Sequence, residues 1–388
     1  MNVPKIRFKG FEGEWQGTTL SKIATIQKGE QINKSCLADS GTYYVLNGGQ
    51  TPSGYTESYN TPENTISISE GGNSCGYVAY NTSKFWSGGH NYTLRNVTTH
   101  NEYLYSFLKS KEDFIMSLRV GSGLPNIQKA ALSEVAVFIP KEKEEQQQIA
   151  EYFKNLDSLI EATGKKVASL KQAKQACLQS MFPQPGETTP RIRFKGFEGD
   201  WEKVQIGEIS TSSKGNGFSK ADLRLEGTPI VLYGRMYTKY SFEMDNIDTF
   251  ATPKDGAVYS KGNEVVIPAS GETAEDIAIA AAIKQSGVIL GGDLNILTFN
   301  DDYSPSFMAL CISNSETHYE LSRYAQGKSV VHLRNNDIAK GTVTCPRLAE
   351  QQQIASFFSN LDKQIALQEQ RLEKLKQVKS ACLDNMFV

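Results

Sequence analysis

Residues 4–15 read PKIRFKGFEGEW and residues 190–201 read PRIRFKGFEGDW, with ten of twelve positions identical and the other two keeping their charge. A second pair follows the same rule: Glu145 to Ala150 and Glu350 to Ala355 are both EQQQIA. Each is followed by Asn-Leu-Asp (155–157, 360–362), Ala-Cys-Leu (176–178, 381–383) and Met-Phe (181–182, 386–387). The first pair is 186 residues apart and the second 205, so the matching segments bracket regions that differ by 19 residues. A chain built this way has to fold into two like parts.

Between the matching segments the halves diverge, but anchors remain. Val45-Leu46-x-Gly48 pairs with Val231-Leu232-x-Gly234, and Ser69-Glu-Gly71 with Ala269-Ser-Gly271. Gly88-Gly89 pairs with Gly291-Gly292, and Gly121-Ser-Gly with Gly327-Lys-Ser, followed by Leu132 and Pro140 against Ile338 and Pro346. One scaffold with different contents implies two modules doing the same kind of job on different targets. A duplication that merely drifted would not spare the flanks and erase the middle.

The segments after Pro140 and Pro346 read as long helices. Ile149, Phe153, Leu156, Ile160, Thr163, Val167, Leu170, Lys174, Cys177 and Met181 step by four and three. Ile354, Phe358, Leu361, Ile365, Gln368, Leu372, Leu375, Lys379, Cys382 and Met386 repeat the pattern. This is a heptad seam interrupted at the same places in both copies. Residues 144–181 would span about 57 Å as a helix. Antiparallel pairing puts Thr163 and Gln368 near the middle, Lys174 close to Asp362, and Lys379 close to Asp157; a Cys177–Cys382 crosslink would contradict it. Two amphipathic helices packed on their own domains would also satisfy an apolar seam.

Residues 16–140 and 202–346 are punctuated by Gly, Asn, Ser and Pro around short β-branched and aromatic runs. Tyr43–Leu46, Thr65–Ser69, Tyr77–Tyr80, Ile230–Tyr233, Val265–Ile267 and Val288–Leu290 read as strands. Asn101–Leu118 and Pro305–Arg323 read as helices. The expected class is α+β, two β-rich modules joined by two long helices. The loops are rich in Tyr, Asn, Gln, Ser and Gly, side chains that suit base edges, sugars or solvated turns.

Composition narrows the rest. The net charge is −2 and no apolar run reaches the roughly 18 residues of a membrane span. Six scattered cysteines without a CxxC pair, and four histidines without a metal-binding spacing, point to a reducing cytoplasm and no metal site. There is no adenine-methyltransferase motif, no GxGxxG after a strand and no Walker A motif. A catalytic pair serving both halves should recur, and none does. The expectation is a chain that binds and positions, not an enzyme.

The duplicated Arg-Phe-x-Gly-Phe-x-Gly-x-Trp segment, the two unlike modules and the proline-led EQQQIA helices resemble the specificity subunit of a type I restriction–modification system, across essentially the whole chain. The resemblance implies two target recognition domains, each reading one half of a bipartite DNA site, on helices that pair as an antiparallel coiled-coil spacer. It implies methyltransferase subunits, two of them, as partners, with restriction and translocation subunits joining through the complex. S-adenosylmethionine, ATP and magnesium would belong to those partners, and no cofactor to this chain. The domains are then 1–141 and 190–346, each with its opening segment, with helices at 142–183 and 347–388 and a linker at 184–189. The alternative is a coiled-coil adaptor with two carbohydrate- or protein-binding modules.

Candidate DNA contacts in the first module are Asn47, Gln50, Lys84, Arg95, Arg119, Ser122, Asn126 and Gln128. In the second they are Arg235, Lys239, Arg323, Lys328, Ser329, Arg334 and Asn335. The seam residues from Ile149 to Leu170 and from Ile354 to Leu375 are the candidate coiled-coil interface. Charge imposes a condition: residues 16–140 carry nine cations and nine acids, but residues 202–346 carry 13 cations and 18 acids. Phosphate binding needs cations, so the acids of the second module have to be occupied elsewhere.

Overall fold

The computed structural model describes residues 2–121, 123 and 125–388. It contains two compact units that do not follow a single cut in the chain: residues 1–165 with 369–388, and residues 166–368. Both long helices are shared. The first runs Lys143–Ser180 and the second Leu348–Asn385, 38 residues each.

In the first unit Tyr152 lies 3.3 Å from Cys382, and Asp157 pairs with Lys379. Numbers rise along one helix as they fall along the other, so the helices run antiparallel. In the second unit Lys174 meets Asp362 at 2.5 Å and Phe182 stacks near Phe358 at 6.4 Å, again antiparallel. Ile149, Phe153, Leu156, Thr163, Val167, Ile354, Phe358 and Ile365 are buried. Ile160, Leu170, Leu361, Gln368, Leu372 and Leu375 are half-buried.

The matching flanks have a physical reason. Phe387, from the end of the second helix, sits in the first unit within 6.3 Å of the rings of Trp15, Tyr103, Phe107 and Phe153. Phe182, from the end of the first helix, sits in the second unit beside Trp201, Phe307 and Phe358. Each core is therefore closed by the tail of the other repeat's helix. Arg7 grips Glu145 through two hydrogen bonds of 2.7 and 2.8 Å, and Arg193 grips Glu350 through two of 2.7 Å. Glu145 and Glu350 are almost wholly buried, so such paired bonding is what makes their charge tolerable. Gln146 bonds the Pro140 carbonyl at 3.0 Å and Gln351 the Pro346 carbonyl at 2.8 Å, fixing the turn into each helix.

In the first unit a four-stranded antiparallel sheet has the order Thr25–Lys28, Asn91–Arg95, Thr65–Ser69, Val78–Asn81. A three-stranded sheet has Tyr43–Leu46 between Tyr55–Thr56 and Trp86–Ser87. In the second unit Ser210–Lys214, Leu294–Phe299, Glu264–Pro268 and Ala281–Ile283 repeat the first sheet, with Glu243–Met244 added at the edge. Thr228–Val231, between Phe250–Ala251 and Ser286–Leu290, repeats the other, with Leu223–Arg224 and Tyr259–Lys261 added at the two edges. In both units the opening strand pairs with the strand leading to the long helix, Gln16–Thr19 with Ala136–Ile139 and Glu202–Gln205 with Thr342–Cys345.

Each expected single helix is two. Asn101–Ser110 and Glu112–Ser117 break at Lys111, and Pro305–Asn314 and Glu316–Tyr324 break at Ser315. Ser315 leaves the helical region at ψ −170° and its hydroxyl accepts from the Thr317 N–H, so it starts a new helix instead of continuing the old one.

Candidate nucleic-acid interface

At one end of the first unit's sheets, five loops converge. Gly29 N–H donates to Asn91 O and Glu30 N–H to Ser87 O, both 2.8 Å. Gly88 N–H reaches Leu46 O at 2.8 Å, and Glu70 N–H reaches His90 O at 2.9 Å. Val120 and Asn126 exchange both backbone bonds, at 2.8 and 3.0 Å, closing a hairpin around Gly121. That hairpin is tied down by Gly72 N–H to Pro125 O and Ile127 N–H to Glu70 O.

The second unit repeats these bonds with different residues. Gly215 donates to Leu294, Asn216 to Leu290, Gly291 to Val231, Ala269 to Asp293 and Leu333 to Ala269. Gln326 and His332 close the equivalent hairpin at 3.0 and 2.8 Å. These bonds correct two anchors read from the sequence. Leu46 corresponds to Val231, and Glu70 to Ala269, each one residue away from the glycine-based alignment. The backbone ladder, not the shared glycine, sets the correspondence; Gly48 and Gly234 lie in loops of different shape. Spacing between matching residues rises from 185 at Leu46 and Val231 to 199 at Thr65 and Glu264, so much of the added length lies between those strands. It builds the short helix Arg235–Thr238 and the strand Glu243–Met244.

Gly29 and Gly215 show why the loops meet so closely. A Cβ on Gly29 would stand 2.2 Å from Gly88 O, and one on Gly215 would stand 1.9 Å from Gly291 O. Only glycine admits that approach.

Of the candidates in the first module, Asn47 is in the cluster and accepts the His90 N–H at 3.0 Å. Gln50 is exposed in the loop beyond it. Arg119 is exposed next to the hairpin, Asn126 closes it, and Gln128 is the exposed residue capping helix Lys129–Ser133. Ser122 lies outside the described residues. Lys84 and Arg95 are engaged by neighbouring residues. Arg95 ends the strand that leaves the cluster at Asn91, about 13 Å away. Its guanidinium donates to Asn60 O at 3.2 Å and Thr61 Oγ1 at 3.0 Å, and burial lowers its pKa. Lys84 sits over the Tyr59 ring at 4.8 Å.

In the second module Lys328 and Ser329 are exposed on the hairpin and Arg334 is exposed at the cap of helix Asn335–Ile338. Asn335 turns inward and donates to Ser213 O at 2.9 Å. Arg323 is exposed near the end of its helix. Arg235 is only 10% exposed and is held by Asp248 at 2.6 Å. Lys239 pairs with the same carboxylate, and the two cations hold Asp248 well below the usual carboxylate range, Lys239 contributing most. Arg235, Lys239, Phe218, Leu232 and Asp293 line a cavity of about 810 Å³ beside the loops.

Several acids of the second module are engaged in the fold. Glu264 accepts the N–H groups of Lys261, Gly262 and Asn263 at 2.7–3.2 Å. Glu320 accepts from Thr342 N at 2.9 Å, and Asp222 from Ser219 N at 2.9 Å. Part of the excess of acid is therefore engaged by hydrogen bonds within the fold.

Sequence reasoning missed Lys28, Glu70 and His90. Lys28 Nζ lies 2.7 Å from Glu70 Oε1, Tyr92 hydroxyl lies 3.0 Å from the same oxygen, and His90 Nδ1 lies 3.8 Å from Oε2. The available signal was the pair Lys28-Gly29 and Lys214-Gly215, which recurs at the spacing of the opening segments. Among the described residues no group of three or more His, Cys, Asp or Glu is arranged to hold a metal ion, and no helix is long and apolar enough to cross a membrane.

Two like units, each presenting a loop cluster on a conserved backbone frame with its own side chains, define a two-module recognition protein. The sequence profile described as "Type I restriction modification DNA specificity domain" matches residues 12–172 and 198–377. The chain belongs to that family. A putative type I specificity subunit of Mycoplasma genitalium is 27% identical over 267 residues, 67% of this chain and 68% of that protein. One from Mycoplasma pneumoniae is 28% identical over 267 residues, 67% of this chain and 70% of that protein. The crystal structure of a type I restriction–modification S subunit from M. genitalium matches 100% of this chain and 99% of that one, at a TM-score of 0.72 and 19% identity. A structure described as showing complex assembly and conformational transition of a type I system matches 97% and 98% at a TM-score of 0.51 and 13% identity. These two likenesses bear on the fold.

Proposed function

We propose that this chain is the DNA-sequence specificity subunit of a type I restriction–modification complex, with each module reading one half of a bipartite site. The observation that carries this reading is the loop cluster built twice on the same backbone bonds with different side chains. Asn47, Gln50, Arg119, Asn126 and Gln128 serve the first half-site; Ser122, outside the described residues, is assigned to it from the sequence alone. Lys328, Ser329 and Arg334 serve the second, with Arg235, Lys239 and Asn335 shaping the neighbouring surface. Lys84 and Arg95, held by Tyr59 and by Asn60 and Thr61, flank the first half-site's loops.

The antiparallel helices set the distance between half-sites. Two methyltransferase subunits dock on the matching flanks, and restriction subunits join through them. Identical exposed residues support that symmetry: Ile6 and Ile192, 51% and 56% exposed, serve no core, and Lys9, Gln147 and Gln148 recur as exposed Lys195, Gln352 and Gln353. The chain itself is non-catalytic and cytoplasmic. S-adenosylmethionine, ATP and magnesium belong to the partners. The recurring acid–base pairs, Arg7 with Glu145 and Arg193 with Glu350, are engaged in the fold.

The test is methylome sequencing of cells expressing an active methyltransferase partner with and without this chain. A bipartite motif methylated only in its presence is expected. No new motif with a bound, active partner would overturn the proposal.

A further inference from the structure

Glu70 stands where the loops of the first unit meet, and its side chain is 12% exposed. Its backbone is fixed on both sides, by His90 O and by the Ile127 N–H. Oε1 takes Lys28 and the Tyr92 hydroxyl, at 2.7 and 3.0 Å. Oε2 is buried and has no hydrogen-bond partner. A buried carboxylate oxygen without a donor costs free energy, so its retention asks for an explanation. His90 Nδ1 is 3.8 Å away, beyond a hydrogen bond, and its side chain is 63% exposed.

The second unit builds the same backbone frame with other side chains at this point. Lys214 stands where Lys28 does and Asp293 where His90 does, but the residue equivalent to Glu70 is Ala269. The same backbone bonds form around it with no carboxylate at the position of Glu70. The frame does not need Glu70, and the polar groups at this point differ between modules, as groups that read different sequences must.

Resting on the proposed function, we infer that Glu70 is a specificity-determining residue of the first module. Its Oε2 accepts a hydrogen bond from the exocyclic amine of a base in the major groove, cytosine N4 or adenine N6. In the free protein the His90 imidazole stands 3.8 Å from that oxygen. Rotation of this one exposed side chain, a fast motion, gives the base access to it. Lys28, 54% exposed, stays beside it and offers its ammonium to the neighbouring phosphate or base.

The experiment uses the full complex with its methyltransferase partner and a library of duplexes varied at every position of both half-sites. Glu70→Gln should lower discrimination at one base pair of the first half-site by at least about fivefold and leave the second half-site unchanged. Whether that base pair is C·G or A·T identifies the amine. His90→Ala, at an exposed position the core does not use, should shift preference at the same or the adjacent base pair. The inference is overturned if both variants keep every base preference, or lower methylation by one factor for all sequences. If Glu70→Gln does not assemble, unchanged preferences in His90→Ala alone overturn it. A wild-type complex with no bipartite motif would refute the proposed function instead.

Discussion

Lys174 Nζ and Asp362 Oδ1 meet at 2.5 Å in the second unit, and Lys379 meets Asp157 in the same way in the first. The lysines that interrupt each seam are thus answered by acids from the other helix, and the pairs fit only the antiparallel register. Lys174→Glu sets two like charges together and should cost about 1 kcal/mol, the pair being about a quarter exposed. Lys174→Glu with Asp362→Lys should recover most of the loss. Urea unfolding of the three variants checks this, and no recovery would contradict the register.

Arg7 and Glu145 make the stronger case. Arg7→Ala leaves a wholly buried carboxylate without its partner, and should cost about 3–5 kcal/mol. Arg193→Ala should cost the same in the second unit, where Glu350 is 2% exposed. Denaturation midpoints that move by less than a surface pair would predict no such burial.

Glycines separate by surroundings. Gly29→Ala and Gly215→Ala force a Cβ into a carbonyl oxygen and should destabilise by about 1–3 kcal/mol or more. Gly164→Ala, within the first long helix and with nothing within 4 Å, should stabilise by about 0.5–1 kcal/mol. Thermal unfolding of the three variants gives the signs.

Acid acts on the second module through Asp248. Its folded pKa lies below the ordinary value of about 3.9, so the unfolded chain binds the proton more readily. The stabilisation is complete near neutrality and is lost as pH falls below about 4. Asp248→Asn should flatten that part of the acid limb while leaving the first module's unchanged. Unfolding curves between about pH 5 and pH 3 test it.

The repeated flanks made the architecture legible. Matching lysines and acids set the helix register, and strands Tyr43–Leu46 and Thr65–Ser69 lie where β-branched runs placed them. The interior of the modules was harder to read. Glycines at 48 and 234 look equivalent but are not, because correspondence there follows backbone bonds between strands distant in sequence. Glu70 was invisible for the same reason: Lys28, His90, Tyr92 and Ile127 come together only through the sheet. Arg235 and Arg95 looked like free cations, and their engagement by Asp248 and Thr61 depends on loops that spacing does not place.

The central claim is that the two modules read independently on one frame. Its most direct measurement is the methylated motif of a complex in which residues 16–140 are replaced by the corresponding module of another such subunit. The account predicts a new first half-site with the second half-site and the gap unchanged. A motif altered in both halves, or unaltered in either, would contradict it.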